Sequence, residues 1–177
     1  MDPQIEIPPR LVRTVYRKAS QRNQSLEERE DWDNSTKTWG VDPEDRHVIG
    51  LLGEMAFAIY ADLKIDTELW GWSDGGVDFE VSIDDVERTV DVKTSRKEPY
   101  ALPVKESRVN SEYYVLAHLE GAIEDVLDGV TVNLIGAATK EMVLDADRKK
   151  SNFDHYNHEV PVSSLNPIPD SASIISE

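Results

Sequence analysis

One hundred and seventy-seven residues, 39% of them apolar, make the length of one domain with enough hydrophobic side chains for a core of its own. The absence of cysteine excludes disulfides, thiolate zinc sites and cysteine nucleophiles, and leaves carboxylates and four histidines as side-chain metal ligands, so that any bound metal would be a hard cation. Thirty-five acids against 19 lysines and arginines give a net charge of −16, the wrong sign for approach to a polyphosphate.

The acids are scattered along the chain and not gathered in a block, which argues against an acidic tail. A DNA-mimic surface and solvation in a salt-saturated cytoplasm remain, and the halophilic reading is preferred. In molar salt the Debye length falls to ~3 Å, so acidic surfaces no longer repel DNA at range. Net charge then says little against a nucleic-acid substrate. No apolar run reaches the ~18 residues of a membrane span. The opening MDPQIEIPPR lacks the basic-then-apolar order of a secretory signal. A soluble cytoplasmic protein without a membrane partner is expected, and a homodimer is open.

In chain order, residues 1–9 carry three prolines and read as an extended arm. Residues 10–31 are helix-compatible, with Leu11, Val12, Val15 and Tyr16 forming a short apolar face that should pack at an edge. Residues 33–41 have turn composition. Asp42 is then an N-cap, Pro43 takes the first helical position and Glu44 and Asp45 the first turn, predicting a helix over 43–61. Within it, VIGLLGEMAFAIYA is apolar or small except for Glu54, and Gly50 and Gly53 lie within a turn of that acid. A mid-helix glycine costs ~1 kcal/mol relative to alanine, so the pair points to close approach of another backbone or a ligand. His47, Gly50, Ala58 and Ala61, on the same helical face, do not make a solvated stripe for an ordinary surface glutamate.

Trp70 and Trp72 suggest a short strand and residues 73–76 a turn. Across residues 77–83, Asp78, Glu80 and Ser82 alternate with Phe79, Val81 and Ile83. Asp84 and Asp85 make a turn, and residues 88–95 alternate Asp91, Lys93 and Ser95 with Val90, Val92 and Thr94. An antiparallel hairpin would display Asp78, Asp91 and Lys93 on one side. Residues 97–112 read as a long connection with a short strand around Leu102. Strands follow at 113–119 and 130–136, separated by an acidic stretch, then a helix over 139–147, a turn-like region at 151–158 and a brief strand at 159–162. The expected division is an N-terminal arm and helix at 1–42, a catalytic-type domain at 43–166 and a flexible tail at 167–177. The fold class is α/β, a mixed central sheet flanked by helices.

Three carboxylates with a lysine two positions after one of them have a chemical logic. Carboxylates can hold one or two Mg²⁺ ions that bind phosphate oxygens and acidify a bound water. At i+2 on a strand, Lys93 points to the same side as Asp91, toward the charge that develops on a phosphorane. Gly53-Glu54-Met55-Ala56, then Gly76-Val77-Asp78-Phe79, then Val90-Asp91-Val92-Lys93-Thr94-Ser95 together resemble the PD-(D/E)XK nuclease superfamily, in particular members with a GExA run on the preceding helix. Val77 stands where that motif has proline, and no crossover helix is evident after the lysine strand. The resemblance implies a restriction-endonuclease-like core and Mg²⁺-dependent phosphodiester hydrolysis, with Mn²⁺ able to substitute and DNA as substrate. It also implies Asp78 and Asp91 as metal ligands, Glu54 as a direct or water-mediated one, the Val92 carbonyl as a further ligand and Lys93 as the catalytic lysine.

Around this set, His47 shares the face of Glu54, and Thr94, Ser95 and Lys97 follow the lysine strand, each a candidate phosphate contact. Lys140 opens the late helix and is another. His155 and His158 lack a third ligand and read as surface histidines. Rival readings are a non-catalytic nucleic-acid- or protein-binding module on the same fold, and an acidic DNA mimic.

Overall fold

The computed structural model describes residues 2–27, 43–64, 77–121, 128–152 and 154–175. Its elements are β1 (Gln4–Ile7), α1 (Pro9–Glu27), α2 (Pro43–Tyr60), β2 (Phe79–Ile83), β3 (Val86–Ser95), β4 (Ala101–Lys105), β5 (Tyr113–Leu119), β6 (Val130–Thr139), α3 (Lys140–Asp145), β7 (Asp147–Lys150), β8 (Tyr156–Pro161) and β9 (Ile174–Ile175). The expected turn at 33–41, the Asp42 cap and the tryptophan strand lie outside the described residues.

Six strands form a mixed sheet in the order β1-β6-β5-β3-β2-β9, and β4-β8-β7 form a second, antiparallel sheet. The fold is thus mixed α/β. β2 and β3 make the expected hairpin, from Phe79 opposite Val90 to Ile83 opposite Val86. Asp84 and Asp85 both adopt left-handed backbone, with φ of 51° and 64°. Two such residues twist a two-residue turn with the hand of its strands, and aspartate tolerates the conformation better than most side chains. β3 then pairs in parallel with β5, the Asp91 position facing Tyr114 and Lys93 facing Leu116. A parallel pair needs a crossover. Here it runs through β4 and a 3₁₀ turn at Glu106–Arg108.

The period of two decides which core each face builds. Val90 and Val92 of β3, with Val115, Ala117 and Leu119 of β5, pack under α1 and α2 against Val12, Val15, Leu52, Met55 and Phe57. Tyr114 and Leu116 point the other way, into a smaller core closed by Leu102, Val104 and Val160 of the second sheet and Val143 of α3. Asp91 and Lys93 share that second face. Pro103 is exposed on β4, which among the described residues is an edge strand paired only with β8, a place where proline is tolerated.

Several expectations need correction. The N-terminal arm is a strand, hydrogen-bonded to β6 from Gln4 opposite Asn133 to Ile7 opposite Val130, with Ile7 buried. α1 does not merely rest at an edge, because Val12, Val15 and Ala19 are fully enclosed in the main core. In the segment read as a flexible tail, Ile174 and Ile175 pair with Ile83 and Ser82 of β2. The brief strand is a longer β8 that begins at Tyr156, inside the region read as turn-like, and β7 occupies 147–150, where the late helix, which stops at Asp145, was expected to end. Among the described residues no helix is long and apolar enough to cross a membrane.

Candidate functional site

The hairpin positions the acids. β2 begins at Phe79, and the residue before it, Asp78, donates its backbone N–H to the Val90 carbonyl (3.0 Å) while its Oδ2 accepts the Val92 N–H at 2.7 Å. A side chain thus takes over the ladder where the strand stops. Asp91 stands between those two β3 residues, on the face that Asp78 approaches. Asp91 is 3% exposed, and the Lys93 ammonium donates to both of its oxygens, at 2.5 and 2.7 Å. Lys93 itself is about a third exposed, so the ion pair opens toward solvent on the lysine side.

Burial pushes the Asp91 carboxyl above its ordinary 3.8, against the opposing pull of the Lys93 ammonium, a hydrogen bond with Asp78 and the charge of Arg108. Desolvation disfavours the anion, and the neighbouring cation restores only part of what is lost. Tyr114, beside Asp91 in register, is fully buried, and its hydroxyl accepts the Ser111 N–H at 2.9 Å. Burial raises its pKa, with the Asp91 charge adding to the effect. This bond closes the end of the crossover onto β5 beside the Asp91 position.

Glu54 is enclosed on α2, 8% exposed and engaged with neighbours. The residue before it explains how the helix sits so close. A Cβ on Gly53 would overlap the Thr94 hydroxyl and come within 3.1 Å of the Thr94 Cβ. The close approach read from the sequence is therefore real at Gly53, whereas Gly50 faces open space. This contact puts α2 against the Val90–Val92–Thr94 face of β3, opposite the face carrying Asp91 and Lys93. Among the described residues no three His, Asp or Glu side chains are grouped so as to hold a metal ion, and Glu54 does not extend the acid pair into a cage.

The structure thus brings together Asp78, Asp91, Lys93 and the Val92 backbone. The flanking candidates scatter. The Thr94 hydroxyl is buried against α2 without a hydrogen-bond partner, turned away from the acid pair. Ser95 donates its hydroxyl to the Lys97 carbonyl (2.6 Å), and Lys97 is exposed. His47 is half-buried near the start of α2 and has partners of its own. Lys140 starts α3, its backbone N–H on the Glu112 carbonyl (3.0 Å). His158 is buried in β8 with Nδ1 3.3 Å from the Ala146 carbonyl, a structural histidine and not a surface one. Arg108, Ser111 and Tyr114 were not legible as site residues. Only the parallel register of β3 with β5 places them there, and no local pattern encodes it.

No family model matches this chain, and no curated protein or solved structure matches it either.

Proposed function

We propose that the chain is a divalent-metal-dependent nuclease, hydrolysing phosphodiester bonds in DNA on a core of the restriction-endonuclease type. The observation that carries this reading is the cross-strand set itself, two adjoining carboxylates with a lysine ammonium bonded to the buried one. A buried acid with a raised pKa and a specific cationic partner is the kind of group that functional sites assemble. Two carboxylates without a third suit Mg²⁺, which keeps several waters and takes one or two carboxylates together with substrate phosphates.

Asp78 and Asp91 would hold the ion. The Val92 carbonyl, which strand geometry directs to the same edge as the Val92 N–H, would add an oxygen, whereas Glu54, on the helix packed against the other face of β3, stays outside this set. When bound, Mg²⁺ supplies Lewis acidity toward phosphate oxygens and a more acidic water. Lys93 does the rest of the electrostatic work. Were Asp91 to hold the ion, the Lys93 ammonium would be freed toward the solvent side, where it would stabilise the charge that builds on the scissile phosphate. Asp91 would hold the ion as the carboxylate, so any proton on the buried carboxyl would have to leave first.

Labelled single-stranded, double-stranded and branched DNA, with RNA alongside, incubated with Mg²⁺, Mn²⁺ or chelator, tests the reading. Cleavage with either metal and none with chelator is expected. Failure to cut any of these substrates with either ion, or cutting that chelator leaves untouched, overturns it.

A further inference from the structure

We propose that the rim running from Arg108 to the edge strand β7 is a binding track for single-stranded nucleic acid, with a base stacking at Tyr156; the nuclease reading supplies only the direction, away from Asp91. In a chain of net charge −16, Arg148-Lys149-Lys150 is the one run of three consecutive cations, and all three are exposed on β7. Among the described residues β7 pairs only with β8, placing Lys150 opposite Tyr156. The Arg148 guanidinium lies 3.5 Å over the centre of the Tyr156 ring, and its Nε and Nη2 donate to the Glu106 carboxylate at 2.7 and 3.0 Å. Glu106 begins the 3₁₀ turn that ends at Arg108, and Arg108 lends its charge to Asp91. The Arg148–Glu106 ion pair therefore joins β7 to the turn that carries Arg108, whose charge acts on Asp91.

The plainer reading is that these cations merely neutralise Glu106, Glu159 and Asp154, their ion-pair partners. That accounts for the charges, and for Lys149 lying 5.5 Å from the centre of the exposed Tyr100 ring, since Glu159 accepts from both the Tyr100 hydroxyl and the Lys149 ammonium, but not for the guanidinium stacked on the Tyr156 ring, which is 36% exposed. The Lys150–Asp154 pair is exposed on both sides, and such pairs are weak, whereas Arg148 holds Glu106 through two hydrogen bonds and Glu159 is largely enclosed. A polyphosphate offers those cations several charges at once. Aromatic rings with adjacent arginine stack on bases whose faces are free, as they are in a single strand and not within a duplex.

The test is anisotropy of a labelled oligothymidylate with the full chain in chelator, where turnover cannot interfere, beside a duplex of equal length and a polyglutamate competitor. The wild-type chain binds the single strand. Tyr156→Ala weakens it roughly five- to a hundredfold, the range of one lost stacking contact, and Tyr156→Phe restores it. Lys149→Glu with Lys150→Glu also weakens it, and carries the test alone if the Tyr156→Ala chain does not melt cooperatively. No binding by the wild type, unchanged affinity in the variants, equal losses on the duplex, or displacement by polyglutamate at matched charge each overturns the track. Selective loss in a chain that cuts no DNA leaves the track standing and removes the nuclease instead.

Discussion

Asp91 is held between two opposed effects, enclosure that favours its neutral form and a lysine ammonium that favours the anion, with enclosure the larger. The consequence for stability has a definite sign. Between the ordinary carboxyl pKa of 3.8 and the raised folded value, the folded state holds more protons than the unfolded one, so this group's contribution falls as pH rises through that window and stays low above it. Asp91→Asn removes the effect. In urea denaturation from the acid range to neutrality, the variant should gain on the wild type as pH climbs, and a difference that does not vary with pH would refute the assignment. The same carboxylate is proposed to hold metal, so Asp91→Ala and Asp78→Ala should each abolish Mg²⁺-dependent cleavage while leaving a cooperative melt. Asp78 differs in one respect, since its Oδ2 also secures the Val92 N–H. Its removal should cost stability of about 1–3 kcal/mol, measurable in the absence of metal. Wild-type cleavage by either alanine variant would remove the acid pair from the mechanism.

At the scale of elements, the packing of α2 on β3 turns on one missing methyl group. Gly53→Ala would drive a Cβ into Thr94, whose β-branched side chain has little freedom to yield, and should cost about 1–3 kcal/mol. Gly50→Ala, on the same helix but facing open space, should instead gain up to about 1 kcal/mol from helix propensity alone. Urea midpoints for the two variants decide the matter, and equal values would show that the Thr94 contact is not what glycine serves at residue 53. This helix and the hairpin were readable in the sequence because each carries its own period. The alternation around Asp78, Asp91 and Lys93 fixes their common side before any partner strand is known. β1, β7 and β9 were not readable for the opposite reason. They are short edge strands at the borders of their sheets, and β7 is exposed throughout, with no apolar alternation to report. What makes them strands is a ladder partner elsewhere in the chain. Arg108 was missed on the same grounds, being carried to Asp91 by a crossover whose register depends on long-range pairing.

At the scale of the whole molecule, the −16 charge and the proposed substrate oppose one another, and salt is the variable that decides how strongly. Exposed acids that repel one another at low ionic strength are screened at molar KCl, where the Debye length is ~3 Å. An enzyme that gripped duplex DNA through many lysines and arginines would fail under those conditions, since log affinity falls by about 0.9 per neutralised phosphate for each unit of log salt. Here the described cations near the acid pair are few, and the run Arg148-Lys149-Lys150 adds only three more, each of which must leave an acidic partner to reach a phosphate. Binding would rest instead on metal-bridged phosphate, stacking and hydrogen bonds, which salt weakens less. The expected outcome is a melting temperature that rises from low salt to molar KCl, and cleavage at fixed Mg²⁺ that persists or increases over the same series. The two readouts separate two causes. Rising stability with collapsing cleavage would uphold the halophilic surface and show that substrate binding is electrostatic after all. A chain most stable and most active at low salt would contradict the halophilic reading, and the acids would then need an ordered role, as a DNA-mimic face or the docking surface of a basic partner.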